Sequence, residues 1–457
     1  MSPSHRFTKL KYSVITFGCR VNQADSLGFE EELRAAGAVA TAPGAADVVI
    51  VNTCSVTSTA DQGARQTIRR LARDNPHARI VVTGCYATRS PEEVRALPNV
   101  MRVVPNDDKD RLIAGLFGRL AGQAQGLPLH LETNNGRGDP CGCPEQTTAE
   151  RFGDGDGSCG AAIEPGVAGR TAFTLRVQTG CAEPCSYCII PSTRGAPRSV
   201  PIAAVLREVD RVTAAGFKEI ALTGVHLGSY GRDLSPRTSL TDLLCALDRD
   251  ALEERNVLFR ISSLEPMDCS RGIVDLVANS DMFAPHFHLP LQHASNRVLR
   301  MMRRPYTIED YASLADEIRA RLPHASIGSD IIVGFPGESD SDFDELTTYL
   351  ERSPLSHLHV FPYSDRPATV ASMMSGKVAG AVVRERGRRV REIGQRLTRK
   401  FRESQLGILH RALTIEDGSV AVTGNYLRVR IPPGRLRNEW IRIKMTMAGD
   451  PLTAEIA

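Results

Sequence analysis

No apolar run in the sequence approaches the ~20 residues needed to span a bilayer. The opening stretch, Met1 to Lys11, carries charge without a following apolar region or a small-residue cleavage site. The expectation is a cytoplasmic protein with no membrane partner. A strong net charge of one sign is also missing, since 56 Lys and Arg stand against 53 Asp and Glu and leave only +3. That excludes a chain gripping nucleic acid through its overall charge, so any basic surface must be local. Pro and Gly are too few for disorder throughout, and 42% apolar with 24% charged residues describes an ordinary globular composition. At 457 residues, and ~150 residues per domain, about three domains are expected. Cysteine is what remains to explain. There are 11, an odd number without an export signal, which fits reduced thiols or metal ligands better than a disulfide framework.

The first third of the chain repeats a pattern more than a set of letters: Tyr12-Ser-Val-Ile-Thr-Phe-Gly-Cys19, Asp47-Val-Val-Ile-Val-Asn-Thr-Cys54 and Arg79-Ile-Val-Val-Thr-Gly-Cys85. Each is a short β-branched run ending in cysteine. Stretches with helical spacing, Asp25 to Ala36 and Thr59 to Arg73, lie between them, so the pattern predicts β-α-β-α-β with a parallel sheet. Ligands gather beyond the carboxyl ends of such strands, where all three cysteines would sit. From about Glu132 to Arg170 periodicity disappears into Gly-, Asp- and Asn-rich sequence, the signature of a linker or surface insertion.

Beyond it, candidate strands Thr174–Gln178, Glu219–Thr223, Leu258–Ser262, His286–Leu289, Ser326–Val333 and His357–Pro362 are spaced widely enough for crossover helices. A second α/β domain with a parallel, barrel-like sheet follows. Arg384 to Glu403 reads as a basic helix with Val390, Ile393 and Leu397 at helical spacing. The segments after it, Ala412–Glu416, Ser419–Thr423, Tyr426–Ile431 and Trp440–Met445, alternate closely and suggest a small antiparallel barrel. The expected fold class is therefore α/β: an N-terminal parallel α/β domain over 9–125, a linker over 126–168, a partial (β/α) barrel over 169–402 and a small β-barrel over 403–457.

The sharpest local signal is Cys181-Ala-Glu-Pro-Cys185-Ser-Tyr-Cys188, a CxxxCxxC stretch directly after a predicted strand. Three thiolates can hold three corners of a cubane cluster, and with no fourth cysteine before Cys245 one iron stays open for a small ligand. The alternative is a structural zinc site, though zinc pairs usually come as CxxC with a second pair elsewhere. Cys19, Cys54 and Cys85 again offer three thiolates and no fourth, the arrangement for a second open cluster. Against this stands the tendency of single cysteines to be buried as small hydrophobes. Asn22 and Asn52 are near enough in sequence to donate hydrogen bonds to cluster sulfurs, or simply to make turns. Cys141, Cys143, Cys159, Cys245 and Cys269 have no partner at ligand spacing and read as non-ligands. His286, His288 and His293 cluster around Leu289-Pro-Leu-Gln292, and lining a pocket suits them better than binding a metal.

The CxxxCxxC stretch, with Leu222-Thr-Gly-Val-His-Leu-Gly228, Ile261-Ser-Ser-Leu-Glu265-Pro266 and Gly328-Ser-Asp-Ile-Ile-Val-Gly-Phe-Pro-Gly-Glu338 in that order, resembles the radical S-adenosylmethionine enzymes. The resemblance implies a 4Fe–4S cluster on Cys181, Cys185 and Cys188, which would be the catalytic cysteines, and reductive cleavage of S-adenosylmethionine to a 5′-deoxyadenosyl radical. It also implies cofactor contacts from Tyr187, Thr223, Gly224, Ser262, Glu265 and Gly334. Glycines at strand ends let backbone approach a ligand, and a carboxylate such as Glu265 suits an ammonium or ribose hydroxyl.

Together with the Cys19/Cys54/Cys85 domain and the terminal barrel, which would correspond to the nucleic-acid-binding TRAM domain, nearly the whole chain resembles the methylthiotransferases. That resemblance implies two 4Fe–4S clusters, two uses of S-adenosylmethionine, a reductant protein of flavodoxin or ferredoxin type and an unspecified sulfur donor. Phe17-Gly-Cys-Arg-Val-Asn-Gln23, Thr223–Gly231, Arg260–Pro266 and His359-Val-Phe-Pro-Tyr-Ser364 look most like the branch that modifies N6-threonylcarbamoyladenosine 37 of tRNA. The alternatives are the same chemistry on isopentenyladenosine or on a ribosomal protein, and, remotely, a non-catalytic iron-sulfur RNA-binding protein. Arg428, Arg430, Arg435, Arg437 and Lys444 in the terminal barrel, with Tyr426 and Trp440 nearby, are the expected tRNA contacts.

Overall fold

The computed structural model describes residues 10–123, 171–249 and 256–457. The expected linker at 126–168, with Cys141, Cys143 and Cys159, lies outside the described residues. The chain divides into two compact units. The first is N-terminal and also includes Ile190–Ala196 and Ala203–Glu208; the second holds most of the remainder.

The N-terminal unit is built on five parallel strands, β1 (Lys11–Thr16), β2 (Val39–Ala40), β3 (Val48–Thr53), β4 (Arg79–Gly84) and β5 (Val100–Val104), in the order β2-β1-β3-β4-β5. All six residues of β3 are buried, because both faces of a parallel sheet are covered and alternate side chains enter different cores. Val49 and Val51 pack with Ile80 and Val82 against Ala64, Ile68 and Leu71 of the helix Ser58–Asp74. Val48 and Ile50 pack on the other face with Phe29, Leu33, Leu112 and Leu116. At about 1.5–3 kcal/mol for each fully buried aliphatic side chain, these two layers hold the strand ends in place. The three cysteine-ended repeats are β1, β3 and β4, and the helices between them run Arg20–Ala35 and Ser58–Asp74. The edge strands β2 and β5 are not among the expected ones: β2 is two exposed residues, and β5 is only partly covered and interrupted by Arg102.

The second unit begins with β6 (Phe173–Arg176) and a two-stranded antiparallel ribbon, β7 (Gln178–Thr179) with β8 (Arg198–Ser199). The parallel strands continue as β9 (Glu219–Thr223), β10 (Leu258–Ile261), β11 (His286–His288), β12 (Ser326–Val333) and β13 (His357–Pro362). They form two three-stranded parallel sheets, β10-β9-β6 and β11-β12-β13, and an isolated bridge from Phe259 in β10 to Phe283 links toward β11. Helices follow the strands, and two of them open with reciprocal caps, Thr307 with Asp310 and Ser339 with Asp342. The single expected strand Thr174–Gln178 is split into β6 and β7, while the other five expected strands agree within one residue at each end.

The terminal barrel closes in the order β14-β15-β16-β18-β17, from β14 (Leu409–Ile415), β15 (Val420–Thr423), β16 (Arg428–Arg430), β17 (Trp440–Met447) and β18 (Leu452–Ile456). It differs from the expected antiparallel barrel in two respects: β18 is a fifth strand, and it pairs with β16 in parallel. Val429, Ile441, Ile443, Met445 and Leu452 point inward, so Arg428, Arg430, Arg442 and Lys444 alternate outward.

The basic helix exists as Gly380–Ser404, with Val390, Ile393 and Leu397 buried as the spacing predicts. Much of its charge is answered within the fold. Arg386 is buried against Glu338 at 2.8 Å and Asp340 at 2.7 Å, Arg388 pairs with Glu385 and Glu392, and Arg396 pairs with Glu351. This helix is a packing element of the second unit.

Candidate functional site

In the N-terminal unit the loops after β1, β3 and β4 bring Cys19, Cys54 and Cys85 near one another, close enough that each of the other two thiols raises the pKa of Cys54. Two glycines make the approach possible. Gly18, at φ +88°, passes so close to Cys54 that a Cβ there would stand 2.7 Å from its Sγ; Gly84, at φ +94°, leaves space only for the backbone of Thr53. Cys19 is exposed and caps the helix Arg20–Ala35, while Cys54 and Cys85 are buried.

The pocket behind these thiols holds two cations. Lys109 Nζ donates to Asp25 Oδ2 at 2.5 Å, Asn52 Oδ1 at 3.0 Å and Asn106 Oδ1 at 3.4 Å. Arg194 reaches the same Asp25 carboxylate at 3.4 Å and donates to Asn22 Oδ1. All of these groups are buried, with Lys109 at 2% relative exposure and Arg194 at 3%. Buried charges persist only when compensated. One carboxylate faces two cations, and the remaining positive charge bears on the thiols. Burial alone would raise Cys85, but Arg194 and Lys109, with hydrogen bonds from Arg194 and Asn106, bring it below its ordinary value. Cys54, governed by burial, is pushed up to about 12. Lys109 is lowered by its own burial and by Arg194, against the pull of Asp25.

The two asparagines differ from their expected role. Asn22 Nδ2 donates to the carbonyls of Phe17 at 2.8 Å and Thr53 at 3.0 Å, and Asn52 Nδ2 donates to Asn22 O and Ser26 Oγ. Their amide hydrogens are committed to backbone and hydroxyl, so they hold the cations instead of donating to sulfur. The asparagine that does face sulfur is Asn106, whose Nδ2 lies 3.8 Å from Cys85 Sγ.

In the second unit Cys181, Cys185 and Cys188 occupy the loop after β7, all partly exposed. Burial raises Cys181, partly offset by the Glu183 N–H 3.4 Å away. Arg304, missed by the sequence reasoning, donates from Nη1 to Cys185 Sγ at 3.2 Å, pairs with Glu265 and donates from Nε to Tyr306 Oη at 3.1 Å. Tyr187 packs against the cluster of Val298, Met302, Phe335 and Ala371, and burial raises its phenol well above the usual value.

Thr223 ends β9 and is buried, its carbonyl accepting from Val177 N at 2.9 Å. Gly224 follows, with no room for a Cβ beside Gln178 and Leu227. Ser262 follows β10 and donates its N–H to Leu222 O at 3.0 Å. Gly334 follows β12 at φ +79°, where its N–H is held by Glu338. These four stand at carboxyl ends of parallel strands, as expected of ligand-facing positions. Gln178 ties the region together, donating to Thr179 O, Gly180 O and Ser229 Oγ while accepting from His226 N at 2.8 Å.

Cys245 and Cys269 lie apart on helical and turn segments, and burial pushes Cys269 up to about 12. His293 is buried and held down at about 3 by that burial. His288 meets His357 and His359 instead of His293. Burial and the neighbouring His288 and His359 hold His357 down at about 4.

Of the expected RNA contacts, Arg428, Arg430, Arg435 and Lys444 are exposed, Arg428 in a surface pair with Glu416. Arg437 donates to Thr171 Oγ1 at 2.9 Å. Trp440 and Tyr426 are engaged within the unit: Arg411 lies 3.9 Å over the Trp440 ring, and Arg260 lies 4.6 Å over Tyr426.

Residues 11–105 match the model described as uncharacterized protein family UPF0004, and residues 175–350 match that of the radical SAM superfamily. The threonylcarbamoyladenosine tRNA methylthiotransferase MtaB of Aquifex aeolicus is 35% identical over 424 residues, covering 92% of this chain and 96% of that one. The chain belongs to the radical S-adenosylmethionine methylthiotransferase family. It is thus an enzyme that uses a radical S-adenosylmethionine domain. A second branch of the family is also similar: the ribosomal protein uS12 methylthiotransferase RimO of Salinispora tropica is 33% identical over 420 residues, covering 87% of this chain and 82% of that one. Among solved structures, the radical S-adenosylmethionine methyltransferase TsrM of Kitasatospora setae shares the fold with a TM-score of 0.53 at 15% identity, over 79% of this chain and 75% of that one. Among the described residues no helix is long and apolar enough to cross a membrane.

The Cys181/Cys185/Cys188 set suits the 4Fe–4S cluster that a radical S-adenosylmethionine domain implies, and Cys19, Cys54 and Cys85 form a second set of the same kind. Each is three thiols with donors directed at sulfur: Arg194, Lys109 and Asn106 at Cys85, which they lower, and Arg304 at Cys185. Asp25 is the carboxylate that faces both buried cations, so replacing it leaves them uncompensated. Asp25→Asn should destabilise the N-terminal unit by about 3–5 kcal/mol, read from denaturant unfolding of metal-free protein; a loss below ~1 kcal/mol would contradict the pairing.

Proposed function

We propose that the enzyme transfers a methylthio group to C2 of N6-threonylcarbamoyladenosine at position 37 of tRNA, in the cytoplasm, using S-adenosylmethionine and two 4Fe–4S clusters. The observation that supports the substrate assignment is the 35% identity over 92% of this chain to a relative named for threonylcarbamoyladenosine, against 33% over 87% and 32% over 92% for two ribosomal-protein relatives. The outward Arg and Lys rows of the terminal barrel support RNA as the partner.

On this reading Cys181, Cys185 and Cys188 would hold one cluster, beside which S-adenosylmethionine would bind. Cys19, Cys54 and Cys85 hold the other. When bound, the clusters would supply reductive cleavage of S-adenosylmethionine at the first site and sulfur for transfer at the second.

The chain's own residues do the rest. Arg304 directs a charged N–H at Cys185, and its contact with Glu265 ties that carboxylate to the cluster loop. Lys109 and Arg194 balance the negative charge of the N-terminal thiolates, and Asn106 donates toward Cys85. Tyr187, Thr223, Gly224, Ser262 and Gly334 border the cofactor with side chain and backbone. A flavodoxin- or ferredoxin-type protein supplies electrons, and a separate donor supplies sulfur. Arg428, Arg430, Arg435, Arg437 and Lys444 contact tRNA phosphates.

Expressed in a host lacking the activity, the gene should bring 2-methylthio-N6-threonylcarbamoyladenosine into total tRNA, detected by mass spectrometry of nucleosides. The isopentenyl product or a methylthiolated ribosomal protein in its place would overturn the substrate while keeping the chemistry. Arg430→Glu with Lys444→Glu should weaken tRNA binding for all sequences alike and lower the salt-dependence slope by ~1 per lost phosphate contact. An unchanged slope in filter-binding titrations would remove these residues from the interface.

A further inference from the structure

Inside the parallel sheet of the second unit is a group of side chains that neither cysteine triad uses. The register of β11, β12 and β13 sets His288, Gly328 and His357 side by side, with Asp330 beside His359 two residues further along. Residues two apart on a strand share a face, so all of these positions lie on one face of the sheet. Ring centroids are 5.4 Å apart for His288 and His359, 5.4 Å for His357 and His359, and 6.2 Å for His288 and His357. One ligating nitrogen from each ring lies within 4.8 Å of the other two. Asp330 Oδ1 is 3.0 Å from His288 Nε2.

The glycine at the centre of the row is part of the arrangement. A Cβ on Gly328 would stand 2.1 Å from Nε2 and 2.2 Å from Cε1 of His357, so the His357 ring occupies the space that any larger residue at 328 would fill. His286, one turn of the pleat earlier on β11, stacks against His357 at 6.0 Å and forms the wall on the side of Tyr426.

We propose that His288, His357 and His359 form a binding site for a divalent metal ion of the zinc class, with Asp330 as the carboxylate that orients His288 or completes the shell. The chemistry of the donors selects the ion. Three imidazoles suit Zn²⁺ and its first-row neighbours, whereas Mg²⁺ and Ca²⁺ require an oxygen-rich shell. No thiol belongs to the group, which separates it from both cysteine sites. A carboxylate against a ligating histidine is the usual outer partner that fixes the ring and raises its basicity. Zinc–nitrogen bonds of ~2.0–2.1 Å require the three nitrogens to contract to ~3.3 Å of one another. The ion therefore draws in rings that are already gathered on one face. The site stands apart from the substrate assignment, so failure of either leaves the other intact.

The test uses the full chain with its clusters reconstituted, equilibrated with Zn²⁺ alone and freed of excess by gel filtration. Elemental analysis should give about one Zn per chain, and zinc-edge X-ray absorption should show nitrogen and oxygen neighbours at ~2.0–2.1 Å. His357→Ala and His359→Ala should remove this zinc while leaving iron content unchanged. Asp330→Asn should weaken binding ~10–100-fold. Gly328→Ala, which deletes no ligand, should also weaken it by displacing the His357 ring. Should the half-buried His357 variant fail to fold, His359→Asn at the exposed ring reads the same loss. Zinc with sulfur neighbours at ~2.3 Å, zinc content indifferent to all of these variants, or no bound zinc in the unaltered protein would each overturn the proposal.

Discussion

Burial of a parallel sheet on both faces is the constraint on which this molecule depends. It favours short β-branched runs in the N-terminal sheet and places Cys19, Cys54 and Cys85 just beyond the strand ends. In β3 all six residues are covered, and chemistry becomes possible only at the next position, Cys54. The same logic operates in β1 and β4, which release Cys19 and Cys85 into the same region, and in β9, β10 and β12, at or just after whose ends stand Thr223, Ser262 and Gly334. Two α/β units thus present their functional residues by one geometric device.

Electrostatics separates cysteines that composition cannot. Cys54 and Cys269 are buried without enough compensating charge, and burial pushes both up to about 12. Cys85 is more deeply enclosed than most residues in the chain yet is lowered, because Arg194 and Lys109 are enclosed with it. Desolvation makes those cations expensive to bury, and a single shared carboxylate relieves only part of that cost. A thiolate group is what the pocket is charged to receive. Arg304 at Cys185 repeats the idea in the second unit with one cation in place of two.

Much of this was legible before any coordinates. The three cysteine-ended repeats and the CxxxCxxC loop stood out because strand periodicity and ligand spacing are local properties. Lys109 did not, since Asn106-Asp-Asp-Lys-Asp-Arg111 reads as a solvated charge run. The segment folds as a 3-10 helix, in which positions three apart eclipse, so Asn106 and Lys109 turn inward while Asp107 and Asp108 face solvent. Arg194 was hidden for another reason: although it follows Cys188 in sequence, its segment packs with the N-terminal unit. The amide hydrogens of Asn22 and Asn52 went to backbone and hydroxyl, a tertiary outcome that no spacing rule anticipates. His357 and His288, far apart in the chain, become neighbours only through strand register.

The central claim is that the chain carries two independent three-thiol cluster sites. Iron and acid-labile sulfide, measured in anaerobically reconstituted protein, test it directly when one triad at a time is replaced by alanine. The account predicts about eight irons in the unaltered protein and about four in each triple variant. It further predicts that addition of S-adenosylmethionine perturbs the reduced-cluster EPR spectrum only when Cys181, Cys185 and Cys188 are retained. Full iron content after replacing Cys19, Cys54 and Cys85, or a cofactor response that survives loss of Cys181, Cys185 and Cys188, would contradict it.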